Sequence, residues 1–197
     1  MNNPEVEWLQ QAQSGDGEAF THVVETYQTP VYNLCYRMLG NPQEAEDAAQ
    51  ETFWRAYQAI RRYDRQRSFI TWLLAIAAHY CIDQQRRRRL PTFTIDLLPE
   101  ESAPDPTPTP EFLISRSEEE KILHQILKDM NPQDRAAMIM RYWYDFSDEE
   151  IGKALNLTVS AVKSRMHRAR HLLAERWKAV QPSTSNPERR KHESPAL

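Results

Sequence analysis

The feature that most constrains the fold is a proline-rich stretch in the middle of the chain. Six of the thirteen prolines lie between residues 91 and 110, and four of them occupy every second position from Pro104 to Pro110. Each proline removes a helical hydrogen bond and restricts the residue before it, so no helix is expected there. The stretch therefore predicts an extended linker between two separately folded parts.

Both flanking parts carry helical patterns. The chain has only four glycines, and its apolar residues recur at helical spacing without convincing alternation at period two. We therefore predict an all-α protein of two small helical domains joined by an extended, acidic, Pro-rich linker. The first domain covers residues 1–89, the linker 90–117 and the second domain 118–178, and residues 179–197 are predicted to form a disordered tail.

One interruption is expected inside the first domain. Residues 18–27 and 30–39 both have helical patterns, and Pro30 stands at the start of the second. Because proline breaks or kinks a helix when it lies in the interior, we predict two helical stretches with a break or kink near this residue.

Residues 147–170 predict a helix-turn-helix. Ser147 and Glu150 have the spacing of a capping box at the start of its first helix, and Asn156 tolerates the left-handed conformation of the turn. Residues 158–178 hold six lysines and arginines against a single acid. An exposed basic helix behind a tight turn is typical of duplex DNA binding, and a helical hairpin with a solvated basic face is the alternative.

The net charge of −3 hides a strong segregation of charge along the chain. Residues 1–60 hold nine acids and two bases, and residues 61–89 hold eight arginines and two acids. Residues 90–120 are acidic again, with eight acids and one base. Such blocks indicate a protein that contacts both a basic partner and a polyanion.

Several classes of protein are disfavoured. Cys35 and Cys81 are far apart in sequence and lack metal-binding spacing, so we expect them to be buried and expect no metal and no cofactor. Paired catalytic carboxylates and a glycine-rich phosphate loop are absent from the sequence, which argues against an enzyme. It also has no signal peptide and no apolar run of membrane-spanning length, so we expect no membrane insertion and a cytoplasmic location.

Three segments of the sequence resemble motifs of one family. They are DAAQETFWRAY at residues 47–57, FITWLLAIA at 69–77 and VKSRMHRAR at 162–170. In this order, with a linker before the third, they resemble regions 2 and 4 of the extracytoplasmic-function (ECF) subfamily of bacterial RNA polymerase sigma-70-type sigma factors, over residues 18–178. The resemblance implies an alternative sigma factor that binds core RNA polymerase and directs transcription initiation at promoters with minus-35 and minus-10 elements.

The resemblance also implies protein partners. Region 2 would bind the clamp coiled coil of the large subunit of core RNA polymerase, and region 4 the flap of the second-largest subunit. The implied core-binding residues are polar positions expected to be exposed: Asp47, Gln50, Glu51 and Arg55. A solvated acidic surface is the alternative for this helix. An anti-sigma factor is a further expected partner.

The basic loop at residues 61–68 and the helix after it match the part of the family that opens DNA at the minus-10 element. The residues assigned to this role are Arg62, Tyr63, Asp64, Arg65, Arg67, Ser68, Phe69, Trp72 and His79. The aromatic side chains would form the walls of a pocket for a flipped base. For Trp72, packing in the core is an equal alternative, and His79 stands where the family has asparagine.

The third segment matches the recognition helix of region 4, which reads the minus-35 element. The residues assigned to this role are Ser160, Lys163, Ser164, Arg165, His167, Arg168 and Arg170. Arg165 would approach bases, whereas Arg168 and Arg170 would contact phosphates. The linker would thread the RNA channels of the polymerase, with a plain tether as the alternative.

Two other functions are weighed against this one. A helix-turn-helix repressor with a dimerising or ligand-sensing first domain would bind a palindromic duplex without polymerase. A nucleic-acid enzyme would need catalytic residues that the sequence does not offer.

Overall fold

The computed structural model describes residues 4–89 and 118–180, which are almost entirely helical. These residues form eight α-helices and one 3-10 turn, as predicted for an all-α protein. The helices are α1 (Pro4–Ser14), α2 (Gly17–Leu39), α3 (Pro42–Ala59), α4 (Phe69–Arg89), α5 (Glu118–Asp129), α6 (Pro132–Trp143), α7 (Asp148–Leu155) and α8 (Val159–Val180), and the 3-10 turn is Ile60–Arg62. The predicted linker and the predicted tail from residue 181 onward lie outside the described residues, and α8 continues to Val180, two residues beyond the predicted end of the second domain.

Helix α2 is one continuous helix through Pro30, so the predicted break into two helical stretches is wrong. A proline in a helix interior costs about 3 kcal/mol, which is why the sequence predicted a break or kink. Val23 and Val31, on opposite sides of the proline, are both buried and hold the two segments against the same core. The packing of this long apolar face therefore outweighs the cost of the proline. The helix ends at Gly40, whose φ of 79° lies in the left-handed region that favours glycine.

The first half of the chain packs around α2, which contacts α1, α3 and α4. Leu34 and Met38 of α2 are fully buried, as are Ala48 and Ala56 of α3. The small alanine side chains allow α3 to lie close to α2, while its opposite side stays in solvent. The core thus forces the polar residues of α3 outward.

The second half packs around α6, which contacts both α7 and α8. Ile139 of α6 and Ile151 of α7 are fully buried, and α8 contributes Val162 and Met166. These apolar positions recur every three or four residues along α8, so the intervening basic side chains lie on the outer face. The predicted helix-turn-helix is therefore folded onto a helical support.

The two halves contact each other directly, although the linker pattern suggested separate parts. Helix α2 contacts α5 and α6, and α4 contacts α6 and α7. The buried guanidinium of Arg135 in α6 donates to the carbonyl oxygen of Met38 near the end of α2. Gln85 of α4 donates to the same carbonyl oxygen at 2.5 Å. Arg135 also donates to the main-chain carbonyl oxygen of Lys128 at 2.6 Å, so one arginine joins α2 to the end of α5.

Candidate nucleic-acid interface

Local hydrogen bonds close both ends of the turn between α7 and α8. The Ser147 N–H donates to the Glu150 carboxylate at 2.8 Å, and the Glu150 N–H donates to the Ser147 hydroxyl at 3.1 Å, which confirms the predicted capping box. Asn156 ends α7 in the left-handed conformation, with φ 55° and ψ 48°. Thr158 caps α8 by accepting from the Ala161 N–H at 3.2 Å. The angle between the two helices is thus set by residues close in sequence.

Helix α8 presents most of its predicted DNA-contacting residues to solvent. Six of the seven are exposed: Ser160, Lys163, Ser164, His167, Arg168 and Arg170. Arg165 is the exception, because its side chain is only 22% exposed. The exposed face of α8 therefore combines positive charge with short polar side chains, which suits contacts to phosphates and base edges.

Arg165 is held by an acid that the sequence reasoning missed. The Arg165 Nη1 donates to the Asp134 Oδ1 at 2.7 Å, and Arg168 donates to both oxygens of the same carboxylate at 3.2 and 3.3 Å. Asp134 lies in the first turn of α6 and is buried. A charged residue beside the start of a helix is ordinary in a sequence, so only the fold shows that it faces α8.

The aromatic residues assigned to base capture form a compact cluster. The ring centroids of Tyr63 and Trp72 lie 5.1 Å apart, those of Tyr63 and Phe69 5.2 Å apart, and those of Phe69 and Trp72 5.5 Å apart. Tyr63 and Phe69 are buried, and Trp72 is half-buried. The Tyr63 hydroxyl donates to the main-chain carbonyl oxygen of Arg67. In this arrangement Tyr63 and Phe69 support the loop from beneath, and Trp72 is the aromatic residue of the three with exposed surface.

The polar side chains of the basic loop are exposed. They are Arg61, Arg62, Asp64, Arg65, Gln66, Arg67 and Ser68. Gln13 of α1, which the sequence reasoning missed, fixes this loop. Its amide donates to the carbonyl oxygens of Ile60 at 3.0 Å and Tyr63 at 2.7 Å, and its oxygen accepts from the Arg65 Nε. The loop is therefore a fixed basic surface in which few side chains are neutralised.

Helix α7 faces this loop across a cavity of about 260 Å³. Ser68 and Trp72 line one side, and Glu150 and Lys153 of α7 line the other. Nearby, the His79 Nε2 lies 3.5 Å from the Asn156 Nδ2, so the residue that departs from the family pattern contacts the turn of the helix-turn-helix. The basic loop and α4 thus lie close to α7 and to the turn that follows it.

The outer face of α3 carries the residues assigned to polymerase binding. Asp47, Gln50 and Arg55 are exposed, and Glu51 is half-buried. Glu51 accepts from the Arg55 Nε at 2.7 Å, and the Arg55 guanidinium lies 4.9 Å from the ring centroid of Tyr80. These contacts order one part of an otherwise acidic surface.

Two aromatic residues on α3 were missed. Trp54 is 58% exposed and Tyr57 is 42% exposed, and their rings stack with centroids 6.4 Å apart. Large exposed aromatics are frequent in protein interfaces. The sequence could have predicted their exposure, because both residues lie outside the apolar stripe of the predicted helix.

The described residues contain no group of three or more His, Cys, Asp or Glu side chains arranged to hold a metal ion. Among the helices in residues 4–89 and 118–180, none is long and apolar enough to cross a membrane.

The sequence matches two family models. The model of Sigma-70 region 2 matches residues 23–90, and the model of Sigma-70, region 4 matches residues 120–173. The first match includes α3, the basic loop and α4, and the second includes α6, α7 and most of α8. The candidate surfaces on the two halves thus fall in different sigma regions.

Relatives and solved structures agree with these matches. The ECF RNA polymerase sigma factor SigW of Bacillus subtilis is 36% identical over 174 residues, which cover 84% of this chain and 92% of SigW. The structure of CnrH in complex with the cytosolic domain of CnrY has a TM-score of 0.65 at 22% identity, and covers 91% of this chain and 100% of that one. RpoE of Bartonella quintana, in complex with the anti-sigma factor NepR, has a TM-score of 0.61 at 18% identity, over 82% of this chain and 98% of that one. The two structures support the fold. On the sequence matches, the chain belongs to the ECF subfamily of sigma-70-type RNA polymerase sigma factors, which act in promoter-specific transcription initiation.

Proposed function

We propose that this chain binds core RNA polymerase, recognises minus-35 and minus-10 promoter elements and nucleates DNA melting. Residues 1–89 would act as the polymerase-binding and melting domain, and residues 118–178 as the minus-35 domain. Residues 90–117 would connect them as a flexible acidic linker, with residues 179–197 as a tail. The proposal follows from the family and from the distribution of charge on the described surface.

The acidic face of α3 is the proposed contact for the clamp coiled coil of the large subunit. Asp47, Gln50, Glu51 and Arg55 lie on this face, beside the exposed ring of Trp54. Charged residues at an interface set register and association rate, while a central aromatic residue supplies much of the affinity. The flap of the second-largest subunit would bind the second domain.

The two basic surfaces are the proposed DNA contacts. Arg165 would read a base of the minus-35 element, with Arg168 and Arg170 on phosphates. In the basic loop, the exposed arginines would hold the backbone at the minus-10 element while a base enters the pocket beside Trp72. The cavity lined by Ser68 and Trp72 supports this assignment.

Catalysis and location follow from the same proposal. The chain would have no enzymatic activity, because nucleotide polymerisation would belong to the core enzyme. It would work in the cytoplasm, where the polymerase acts. An anti-sigma factor is a further expected partner, as NepR is for RpoE of Bartonella quintana.

The observation that carries the proposal is one acidic helix face beside two separate basic surfaces. A sigma factor needs all three, because it binds a protein partner and two stretches of DNA at once. The test is a gel shift of promoter DNA with and without core polymerase, followed by run-off transcription. We expect weak binding by the chain alone and promoter-specific binding and transcripts with core. Tight duplex binding without core would instead support a helix-turn-helix repressor.

A further inference from the structure

The buried carboxylate of Asp134 connects α6 to two arginines of α8. It accepts from Arg165 Nη1 at 2.7 Å, from Arg168 Nη2 at 3.2 Å and from Arg168 Nε at 3.3 Å. The Asp134 side chain is 10% exposed, whereas the Arg165 and Arg168 side chains are 22% and 57% exposed. One fixed acid therefore orients two longer and more mobile side chains.

We propose that Asp134 is a positioning residue for minus-35 recognition, holding Arg165 so that its free edge faces a base. This inference rests on the proposed function and goes further, because it assigns a specificity role to a residue that would not touch DNA. Its basis is the pattern of donors that the carboxylate uses on each arginine.

Arg165 keeps two adjacent donors free of the carboxylate. A guanidinium has five N–H donors in a rigid plane, and Asp134 takes one through Nη1. The edge formed by Nη2 and Nε stays available, and such an edge can donate to both acceptors of a guanine in the major groove. The bond to Asp134 anchors one end of the guanidinium, and the burial of the Arg165 side chain, which is only 22% exposed, restricts its rotation further. Arg165 is thus preorganised for a bidentate base contact.

Arg168 binds Asp134 through the Nε and Nη2 edge of its guanidinium, which is the edge that Arg165 leaves free. Its Nε and Nη2 both face Asp134, which leaves Nη1 as the end directed away from the acid. A terminal nitrogen of this kind suits a phosphate oxygen, which accepts from many directions. The shared carboxylate thus assigns base reading to Arg165 and backbone contact to Arg168.

The support beneath Asp134 is rigid. It lies in the first turn of α6, where Asn131 caps the helix by accepting from the Gln133 N–H at 3.0 Å. The next residue, Arg135, is buried and donates to main-chain carbonyl oxygens of Met38 and Lys128. A side chain on such a fixed element can hold a contact geometry that a loop residue could not.

Removing the negative charge of Asp134 should affect specific and non-specific DNA binding differently if this residue positions Arg165. Asp134 is an acid beside a surface that would bind a polyanion, so neutralising it should leave sequence-independent affinity unchanged or increased. Specificity should fall at the same time, because Arg165 loses its fixed orientation. A role limited to clamping α6 to α8 would instead reduce specific and non-specific binding together.

The test compares Asp134→Asn with Asp129→Asn in reconstituted holoenzyme. Asp129 provides a matched control, because it is an acid of the same half that pairs with another arginine of α8, Arg176, at 3.6 Å. Each holoenzyme selects from a promoter library randomised through the minus-35 element. Binding to an unrelated duplex and thermal unfolding are measured beside it. Enrichment is a ratio within one reaction, so partial loss of folded protein does not alter it.

We expect Asp134→Asn to reduce enrichment of the preferred minus-35 base by about tenfold, with unrelated duplex bound at least as tightly. Asp129→Asn should keep the wild-type preference. Wild-type enrichment by Asp134→Asn would overturn the positioning role, as would parallel loss of specific and non-specific binding. A wild-type holoenzyme without any minus-35 preference would contradict the proposed function instead, so the two failures are distinguishable.

Discussion

The hydroxyl of Tyr144, which directly follows α6, donates a 2.5 Å hydrogen bond to the main-chain carbonyl oxygen of Pro30 inside α2, across 114 positions of sequence. Burial raises the pKa of Tyr144 above its ordinary value, so the phenol remains a donor at neutral pH. Beside it, the Arg37 guanidinium lies 4.9 Å from the ring centroid of Trp143. These contacts hold the second half of the chain against α2.

Cys35 and Cys81 are the only cysteines of the chain, so the reactivity of their thiols can be used to follow the contact between the two halves. Both are free and fully buried. A hydrogen bond with Cys35, followed by burial, raises the pKa of Cys81, and the nearby Arg135 guanidinium acts in the opposite direction. Because Arg135 belongs to α6, this pair of thiols lies near the interface between the halves, and we expect opening of that interface to increase their accessibility.

We expect Arg37→Ala combined with Tyr144→Phe to speed alkylation of these thiols by N-ethylmaleimide. A cation–π contact and a neutral hydrogen bond each contribute about 1 kcal/mol, so their loss should raise the open population roughly tenfold or more. The measurement is the labelling rate of the free full-length chain, followed by mass spectrometry. Far-UV circular dichroism verifies that both variants remain helical.

The control for this experiment is Tyr57→Phe combined with Arg176→Ala. It removes the same two chemical groups from exposed positions that do not join the halves. Labelling at the wild-type rate in the interface variant would contradict the predicted opening, and faster labelling in both variants would point to general destabilisation.

Reversing charge on α3 should weaken polymerase binding. Asp47→Lys with Glu51→Lys places two cations on an acidic surface, so we expect association with core polymerase to slow by about tenfold, with the difference shrinking at high salt. The fold should persist, because both side chains lie outside the core. Surface-immobilised core with fluorescent chain gives the rate.

The matched control is Glu7→Lys with Glu25→Lys, which makes the same change of charge at exposed positions of α1 and α2. Equal effects of the two pairs would mean that net charge, rather than the α3 surface, governs association. A wild-type rate for the α3 pair would remove Asp47 and Glu51 from the interface.

Features that depend on neighbours in the sequence were predicted correctly. The Ser147 capping box and the left-handed Asn156 were confirmed. Each is decided by a side chain and a backbone group within about one helical turn. The order of the helices and their buried faces follow from the same local patterns.

Features that depend on distant partners were not predicted. The continuity of α2 through Pro30 depends on packing against other helices, and the Asp134–Arg165 pair joins residues 31 positions apart. Gln13 contacts a loop about fifty positions later in the chain. Spacing along the sequence contains no information on which helix faces which, so these contacts required the fold.

Phe69→Ala should destabilise the chain rather than act on melting alone. Phe69 is buried against Tyr63 and Trp72, and loss of a buried aromatic ring costs about 3 kcal/mol or more. Urea unfolding measures this cost. Gln66→Ala is the informative comparison, because this exposed side chain lines the cavity beside Trp72 and its loss should leave stability unchanged.

With Gln66→Ala we expect fewer open complexes at unchanged closed-complex affinity, which permanganate footprinting measures on promoter DNA. Wild-type footprints would exclude Gln66 from base capture. A stable Phe69→Ala variant would contradict the packing described for the aromatic cluster.

The capping box of α7 should make this half of the chain sensitive to acid. The Ser147 N–H first, and then its hydroxyl, donate to the Glu150 carboxylate and hold the pKa of Glu150 below its ordinary value of 4.5. A depressed pKa in the folded state stabilises the fold above the unfolded pKa. This contribution is lost as pH falls through the folded value.

We therefore expect Glu150→Gln to lower the unfolding free energy by about 0.5 kcal/mol at neutral pH, because glutamine can keep the capping-box hydrogen bonds but not the negative charge. The difference from wild type should shrink as pH falls below the ordinary glutamate pKa. Urea unfolding across this range measures the difference. Glu149→Gln is the control. Glu149 also lies in the first turn of α7, near the positive end of the helix dipole, but it is exposed and takes no part in the capping box. If the difference in unfolding free energy between wild type and Glu150→Gln stayed constant into acid, the charged carboxylate would not be the stabilising form. Protonation of Glu150 in the wild type would otherwise remove the difference.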